Sequence, residues 1–335
     1  MITHESSLKV FTSQIQYVLD NYSKHGLSVE SFDNIVLGGL GGSGIAANIV
    51  QDYFFDKCSI PIQGVKDYHL PSYVGEKTLL VLNSYSGNTE ETLSLYEEGR
   101  QKGATMIVLS SGGSISENAK ADGLQYYPIP TGFQPRMTIG FGLSFLSMIL
   151  GELVGDDKRT ELEDVIQGFK DNHEKQINTA NNITQFFLGS AKNKFVIVCD
   201  QAMSGPAVRF TQQLNENSKL EGFVNVLPES NHNVIESYTD RMPTNFLFLY
   251  TNRNERVSAR FDFLLGHLEM DNNRVVPVVI PEYSLYSIFD VIYRLDWVSV
   301  NLANETGANL MEVPIITDLK EHLARIEMIE ESEEE

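Results

Sequence analysis

Short apolar runs alternate with segments of helical periodicity along most of this chain. In the first half the runs lie at Asn34–Leu37, Ile60–Val65, Leu79–Asn83, Thr105–Leu109 and Leu124–Ile129. Before them, apolar residues from Leu8 to Leu19 recur at helical spacing and predict an N-terminal helix; after them, Ile139 to Leu153 reads as a closing helix. Strands alternating with helices in this way predict a parallel sheet covered on both faces. Asp156 to Phe187 is polar and helix-prone, and reads as a connector. The second half repeats the logic with strands at Phe195–Cys199, Phe223–Leu227, Phe246–Tyr250 and Val275–Ile280. One helix opens at Ser204-Gly205-Pro206 and runs to about Leu220, a long one spans Leu285–Leu302, and a last one spans Val313–Ile329. Both halves begin with a strand, a small-residue turn and a helix, which suggests a degenerate duplication. The expected division is a first domain with its N-terminal helix over 1–155, a helical connector over 156–190, and a second domain with a terminal helix and acidic tail over 191–335.

Two turns in the first half carry more polar groups than a turn needs. Ser84-Tyr85-Ser86-Gly87-Asn88-Thr89 joins a predicted strand to a predicted helix. A helix cap uses one side chain, so three hydroxyls and a glycine at one helix start favour an anion held by hydroxyls, N–H groups and the helix dipole over an over-endowed cap. Upstream, Gly38-Gly39-Leu40-Gly41-Gly42-Ser43-Gly44 places five glycines in seven residues after another strand. Gly39, Gly41 and Gly44 also satisfy the dinucleotide fingerprint, and Asp67 stands where a ribose-binding carboxylate would. Taken alone the upstream turn favours NAD. Two serine- and glycine-rich turns after neighbouring strands suggest instead one phosphomonoester gripped from both sides by Gly42, Ser43, Ser84, Ser86 and Thr89.

Composition narrows the partners. The 335 residues are 42% hydrophobic and 21% charged, as in a globular protein large enough for two cores. A net charge of -20 argues against nucleic acid and anionic membranes, so an anionic substrate must be bound by local donors. Six glutamates between Glu327 and Glu335 read as a solvated tail. No apolar run approaches the ~20 residues of a membrane span, and Met1 to Glu5 lacks the features of a signal peptide. Cys58 and Cys199 read as reduced, buried thiols of a cytoplasmic protein.

Reacting groups must come from elsewhere in the chain. No two of the seven histidines lie within four positions and there is no paired cysteine motif, so no metal site is expected. His232 stands out, in the polar turn Pro228-Glu229-Ser230-Asn231-His232-Asn233 just past a strand, where α/β sheets collect ligands. By itself that turn could equally be a cap with an incidental histidine. Glu216 lies on the polar side of a predicted helix and would by default be solvated. Arg136, after Gln134-Pro135, would by default be a surface charge, and Lys320 a solvated helix position.

Taken together, these residues resemble one family. Gly41-Gly42-Ser43, Ser84-x-Ser86-x-x-Thr89, Gln134-Pro135-Arg136, Asn215-Glu216-Asn217, Asn231-His232-Asn233 and Leu319-Lys320 occur in the order seen in the bifunctional phosphoglucose/phosphomannose isomerases. Asp67-Tyr68-His69-Leu70-Pro71 also resembles that family, which gives Asp67 a reading without NAD. The resemblance runs from about residue 30 to 325 and implies an α/β fold of two sugar-isomerase (SIS) domains, each a doubly wound, mainly parallel sheet flanked by helices.

The resemblance also implies a mechanism. Ser43, Ser84, Ser86 and Thr89 would hold the phosphate of a sugar 6-phosphate, with no cofactor. His232 and Lys320 would assist ring opening, Glu216 would move a proton from C2 to C1 through a cis-enediol, and Arg136 would stabilise the enediolate. A homodimer is implied, with His232 contributed by the neighbouring subunit. The chain departs from the pattern at Val313, where a threonine seven residues before the lysine bears on acceptance of both epimers. Two other readings stand beside the isomerase. A non-catalytic SIS sugar-phosphate sensor is the first, although no basic helix-turn-helix precedes residue 30. An NAD-binding oxidoreductase is the second.

Overall fold

The structure, a computed structural model, describes residues 2–239, 242–268 and 273–334. Two parallel sheets form its frame. The first contains β1 (Asn34–Gly38), β2 (Ile62–Val65), β3 (Thr78–Asn83), β4 (Thr105–Ser110) and β5 (Gln125–Pro128) in the order β2-β1-β3-β4-β5. The second contains β6 (Phe195–Asp200), β7 (Gly222–Leu227), β8 (Asn245–Thr251) and β9 (Arg274–Ile280) in the order β7-β6-β8-β9. All pairings are parallel.

Period-two burial explains why continuous apolar runs form these strands. On β3, Leu79 and Val81 enter a large core, whereas Leu80 and Leu82 enter a smaller one on the opposite face. On β8, Leu247 and Leu249 join the same large core, and Phe246, Phe248 and Tyr250 pack on the far side. The large core is therefore shared by the inner faces of both sheets. The helices between them include α3 (Gly41–Tyr53), α6 (Ile139–Leu153), α8 (Ser204–Gln213) and α10 (Leu285–Thr306). The outer face of the first sheet is covered by α4 (Glu90–Gln101) and α5 (Gly113–Ala121), and that of the second by α9 (Glu255–Leu268).

Three elements differ from the pattern read in the sequence. The N-terminal helix is two helices, α1 (His4–Lys9) and α2 (Phe11–Asn21), broken at Val10. The predicted connector is one helix, α7 (Arg159–Leu188), whose face of Leu162, Val165, Ile166, Phe169, Ile183 and Phe187 is buried against α10 and the core. Apolar residues at helical spacing over 162–169 and 177–187 make the buried stripe, with Gln176 buried in the polar stretch between them. The helix that opens at Ser204 changes at Leu214 to a π turn (Leu214–Ser218) and ends at Lys219, whose φ of 58° is left-handed. The last helix, α11 (Pro314–Glu334), continues through the acidic segment, with Glu335 outside the described residues. Among the described residues, no helix is long and apolar enough to cross a membrane.

Candidate active site

In each sheet the chain leaves the first strand on one side and returns on the other, so a crevice opens at the carboxyl ends of β1 and β3, and of β6 and β8. In the first sheet that crevice holds the hydroxyl turns. Ser43, in the first turn of α3, accepts a hydrogen bond from the Tyr85 N–H at 3.3 Å, and its carbonyl accepts from Asn83 Nδ2 at 3.2 Å. Ser84 Oγ donates to Thr89 Oγ1 at 3.2 Å, and Ser86 Oγ lies 3.4 Å from the same oxygen. These hydroxyl contacts are long and therefore weak, ready to be exchanged for the oxygens of an anion. Neither α3 nor α4 receives a side-chain cap, which leaves first-turn N–H groups without a side-chain acceptor. Gly87, at φ +74°, makes the tight turn that other residues rarely adopt.

The matching crevice of the second sheet is filled from within. The Asp200 carboxylate accepts from Thr251 N at 2.8 Å, Thr251 Oγ1 at 2.6 Å and Met203 N at 3.0 Å. A carboxylate of the chain itself satisfies the donors that an external anion would use, in keeping with the serine-rich turns occurring only in the first half.

Gly42 connects the hydroxyl crevice to the next group of residues. A Cβ at Gly42 would lie 2.8 Å from the Pro135 carbonyl oxygen and 3.5 Å from Arg136 Cα, so only glycine lets α3 start this close to the Pro135–Met137 turn. Arg136 is no surface charge; it is 4% exposed. Its Nε donates to Asn217 Oδ1 at 3.0 Å, Nη1 to Glu216 Oε2 at 3.2 Å, and Nη2 to the carbonyls of Leu310 at 2.9 Å and Met311 at 3.3 Å. Burial disfavours its charge and lowers its pKa, while Glu216 opposes that shift. Glu216 sits on the π turn with its side chain 30% exposed, reaching solvent on one side and the guanidinium on the other. Lys219 Nζ donates to the carbonyls of Glu216 and Glu312, pinning the strand of chain that leads into α11.

Beneath this pair lies a buried polar layer that the sequence pattern did not reveal. Arg209 and Asp296 form a fully buried ion pair at 2.6 Å, and Arg209 Nη2 also donates to the Arg136 carbonyl at 2.7 Å. Asn217 Nδ2 donates to Ser299 Oγ at 2.9 Å. Arg209 and Asp296 occupy helices whose apolar residues announce a core, and nothing in their spacing marks them as a pair.

The remaining predicted residues are not gathered here. His232 is exposed, in the Glu229–His232 turn past edge strand β7, and Lys320 is exposed on α11. Within the single chain neither makes a hydrogen bond to the residues above. Asp67 accepts from the N–H of its own neighbour Tyr68 at 2.7 Å. Among the described residues, no group of three or more histidine, cysteine or acidic side chains is placed to hold a metal ion.

Comparison with known proteins decides the family. Residues 176–323 match the model of the bacterial phospho-glucose isomerase C-terminal SIS domain. The bifunctional phosphoglucose/phosphomannose isomerase of Caldicellulosiruptor bescii is 33% identical over 90% of this chain and 92% of its own. This chain belongs to the bifunctional phosphoglucose/phosphomannose isomerase family. The Aquifex aeolicus protein of the same description is 34% identical over 88% of this chain and 91% of its own. The fold is also that of the C-terminal domain of glucosamine-fructose-6-phosphate aminotransferase from Francisella tularensis, with a TM-score of 0.73 at 11% identity, covering 92% of this chain and 98% of that one. The two-sheet SIS architecture expected from the sequence is thus the one found.

Proposed function

We propose that this member of the isomerase family interconverts glucose 6-phosphate, mannose 6-phosphate or both with fructose 6-phosphate, using the site between the two sheets. The observation that carries the reading is the continuous path from the hydroxyl crevice, past Gly42, to the Arg136–Glu216 pair. A phosphate held by Ser43, Ser84, Ser86 and Thr89 extends the sugar toward that pair.

The chemistry follows from the residue types. Glu216 takes the proton from C2 of the open aldose as the C1 carbonyl becomes a C1–C2 enediol, then returns it to C1 as O2 becomes the ketone. Arg136 balances the negative charge that develops on the enediolate oxygens, and its burial strengthens that interaction. A positioned base supplies about 10²–10⁴-fold, so charge stabilisation and binding through the phosphate must supply the rest. His232 and Lys320 move the protons of ring opening. Both lie in solvent in the single chain, so the reading requires an assembly that covers the site: a homodimer in which the partner contributes its histidine. The phosphate-binding half is residues 1–155, joined through 156–190 to the second half at 191–335, in a cytoplasmic enzyme.

The test is isomerase assay of Glu216→Gln beside the unmodified protein. The reading expects loss of turnover with retained binding of fructose 6-phosphate; full activity in the variant would overturn it.

A further inference from the structure

Beneath the Arg136–Glu216 pair lies one side chain from the far end of the sequence. Helix α1 packs on α10 and on the Pro135–Met137 turn that carries Arg136. Its His4 is completely buried. Nε2 of His4 lies 3.3 Å from the Gln213 side-chain amide nitrogen, which can donate to the neutral ring. Gln213 is the last residue of α8, so His4 holds the chain directly before the π turn that carries Glu216. Asn217, within that turn, accepts from Arg136 Nε. A π turn is a rare backbone state, and here its side chains are tied from below by these contacts.

Charge explains why a neutral imidazole suits the place. Two guanidiniums, Arg136 and Arg209, face two carboxylates, Glu216 and Asp296. A lysine or a protonated histidine would add a third cation without a counter-ion. Burial first, and then the two guanidiniums, lower the His4 pKa to about 3, so the ring stays neutral at ordinary pH. Gln213 Oε1 and His4 Nδ1 are both buried without a hydrogen bond, as are Arg209 Nε and Asp296 Oδ1 of the buried ion pair.

We propose that His4 is a positioning residue for the isomerisation, fixing the start of the π turn through Gln213 so that Glu216 and Arg136 stay aligned. The inference rests on the assignment of Glu216 as the proton-transferring carboxylate. It concerns alignment, not binding, since His4 makes no hydrogen bond to Ser43, Ser84, Ser86 or Thr89.

His4→Leu removes the polar contacts while keeping an apolar side chain in the core. The expected result is at least a tenfold fall in kcat with KM for fructose 6-phosphate and Ki for inorganic phosphate within twofold of the parent. His4→Gln, which restores a polar partner for Gln213, should recover most of that loss. Leu8→Ala on the same helix serves as the packing control, expected to lower Tm and spare kcat. Should His4→Leu fail to fold, His4→Asn takes its place, with a side chain too short to reach Gln213 and the same expected split.

An unchanged kcat in His4→Leu, or an equal loss in Leu8→Ala, would overturn the inference. Glu216→Gln separates the two claims: activity in that variant removes the site assignment itself. A dead Glu216→Gln beside a fully active His4→Leu removes only the role of His4.

Discussion

Arg136 donates to Glu216 across 3.2 Å while its other nitrogens hold Asn217 and the Leu310 and Met311 carbonyls. One guanidinium thus joins the first half of the chain, the π turn of the second half and the segment leading to the last helix. Such an arrangement makes Arg136 both an electrostatic group and a structural fork, and the two roles separate in variants.

Arg136→Lys keeps the charge and loses the fork, because a lysine is a point charge on a flexible stem. It should reduce kcat by about 10²-fold, the scale of one lost oriented donor. Arg136→Ala also leaves Asn217 Oδ1 and the partly exposed Glu216 without their partner. It should lower Tm as well as kcat, and steady-state kinetics with thermal melts distinguish the two.

Substitutions in the hydroxyl crevice should act on binding. Ser84→Ala and Thr89→Val each remove one proposed donor to the phosphate, worth about 1.5–3 kcal/mol for a charge-assisted bond. That predicts a roughly 10- to 100-fold rise in KM for sugar phosphates, measurable with fructose 6-phosphate, and a weaker Ki for inorganic phosphate. Their effect on kcat should be the smaller one.

Stability should carry the signature of His4. Its folded-state pKa of about 3 lies below the ordinary 6.5, so the unfolded chain takes up a proton that the folded chain refuses. Stability from this group is therefore full above pH 6.5 and falls as pH drops toward 3, by about 1.4 kcal/mol per unit. Between pH 6.5 and 5 the parent should lose about 2 kcal/mol more than His4→Gln in denaturant melts. Parallel losses would show that His4 titrates alike in both states.

The proposed exchange of His232 between subunits makes its own prediction. His232→Ala and Glu216→Gln should each be inactive alone. Co-refolded, they should regain activity, because each mixed dimer contains one site with both native residues. Activity assays across mixing ratios test this; no recovery, with mixed dimers present, would place His232 in its own chain's site.

The sequence carried the strands well, since runs such as Leu79–Asn83 are apolar on both faces and only a covered parallel sheet accepts that. The hydroxyl crevice was equally legible, because Ser84, Ser86 and Thr89 exceed what a cap needs. What lay beyond reading was long-range pairing. Arg136 is a charge in a polar loop until Glu216 and Asn217 are placed beside it, 80 and 81 positions away. His4 lies ahead of the helix read in the sequence, which begins at Leu8, and its burial depends on α10 and the Pro135–Met137 turn. The break between α1 and α2 has no glycine or proline to announce it; Val10 alone stands there.

Val313 stands where the family resemblance implies a threonine that bears on epimer acceptance, so the two aldoses are best assayed apart. The most direct measurement is conversion of glucose 6-phosphate and mannose 6-phosphate to fructose 6-phosphate, each assayed separately with excess EDTA. The account predicts metal-independent turnover of at least one aldose, and turnover of both if Val313 is compatible with either epimer. Sugar phosphate that binds in the crevice yet is never isomerised would contradict it.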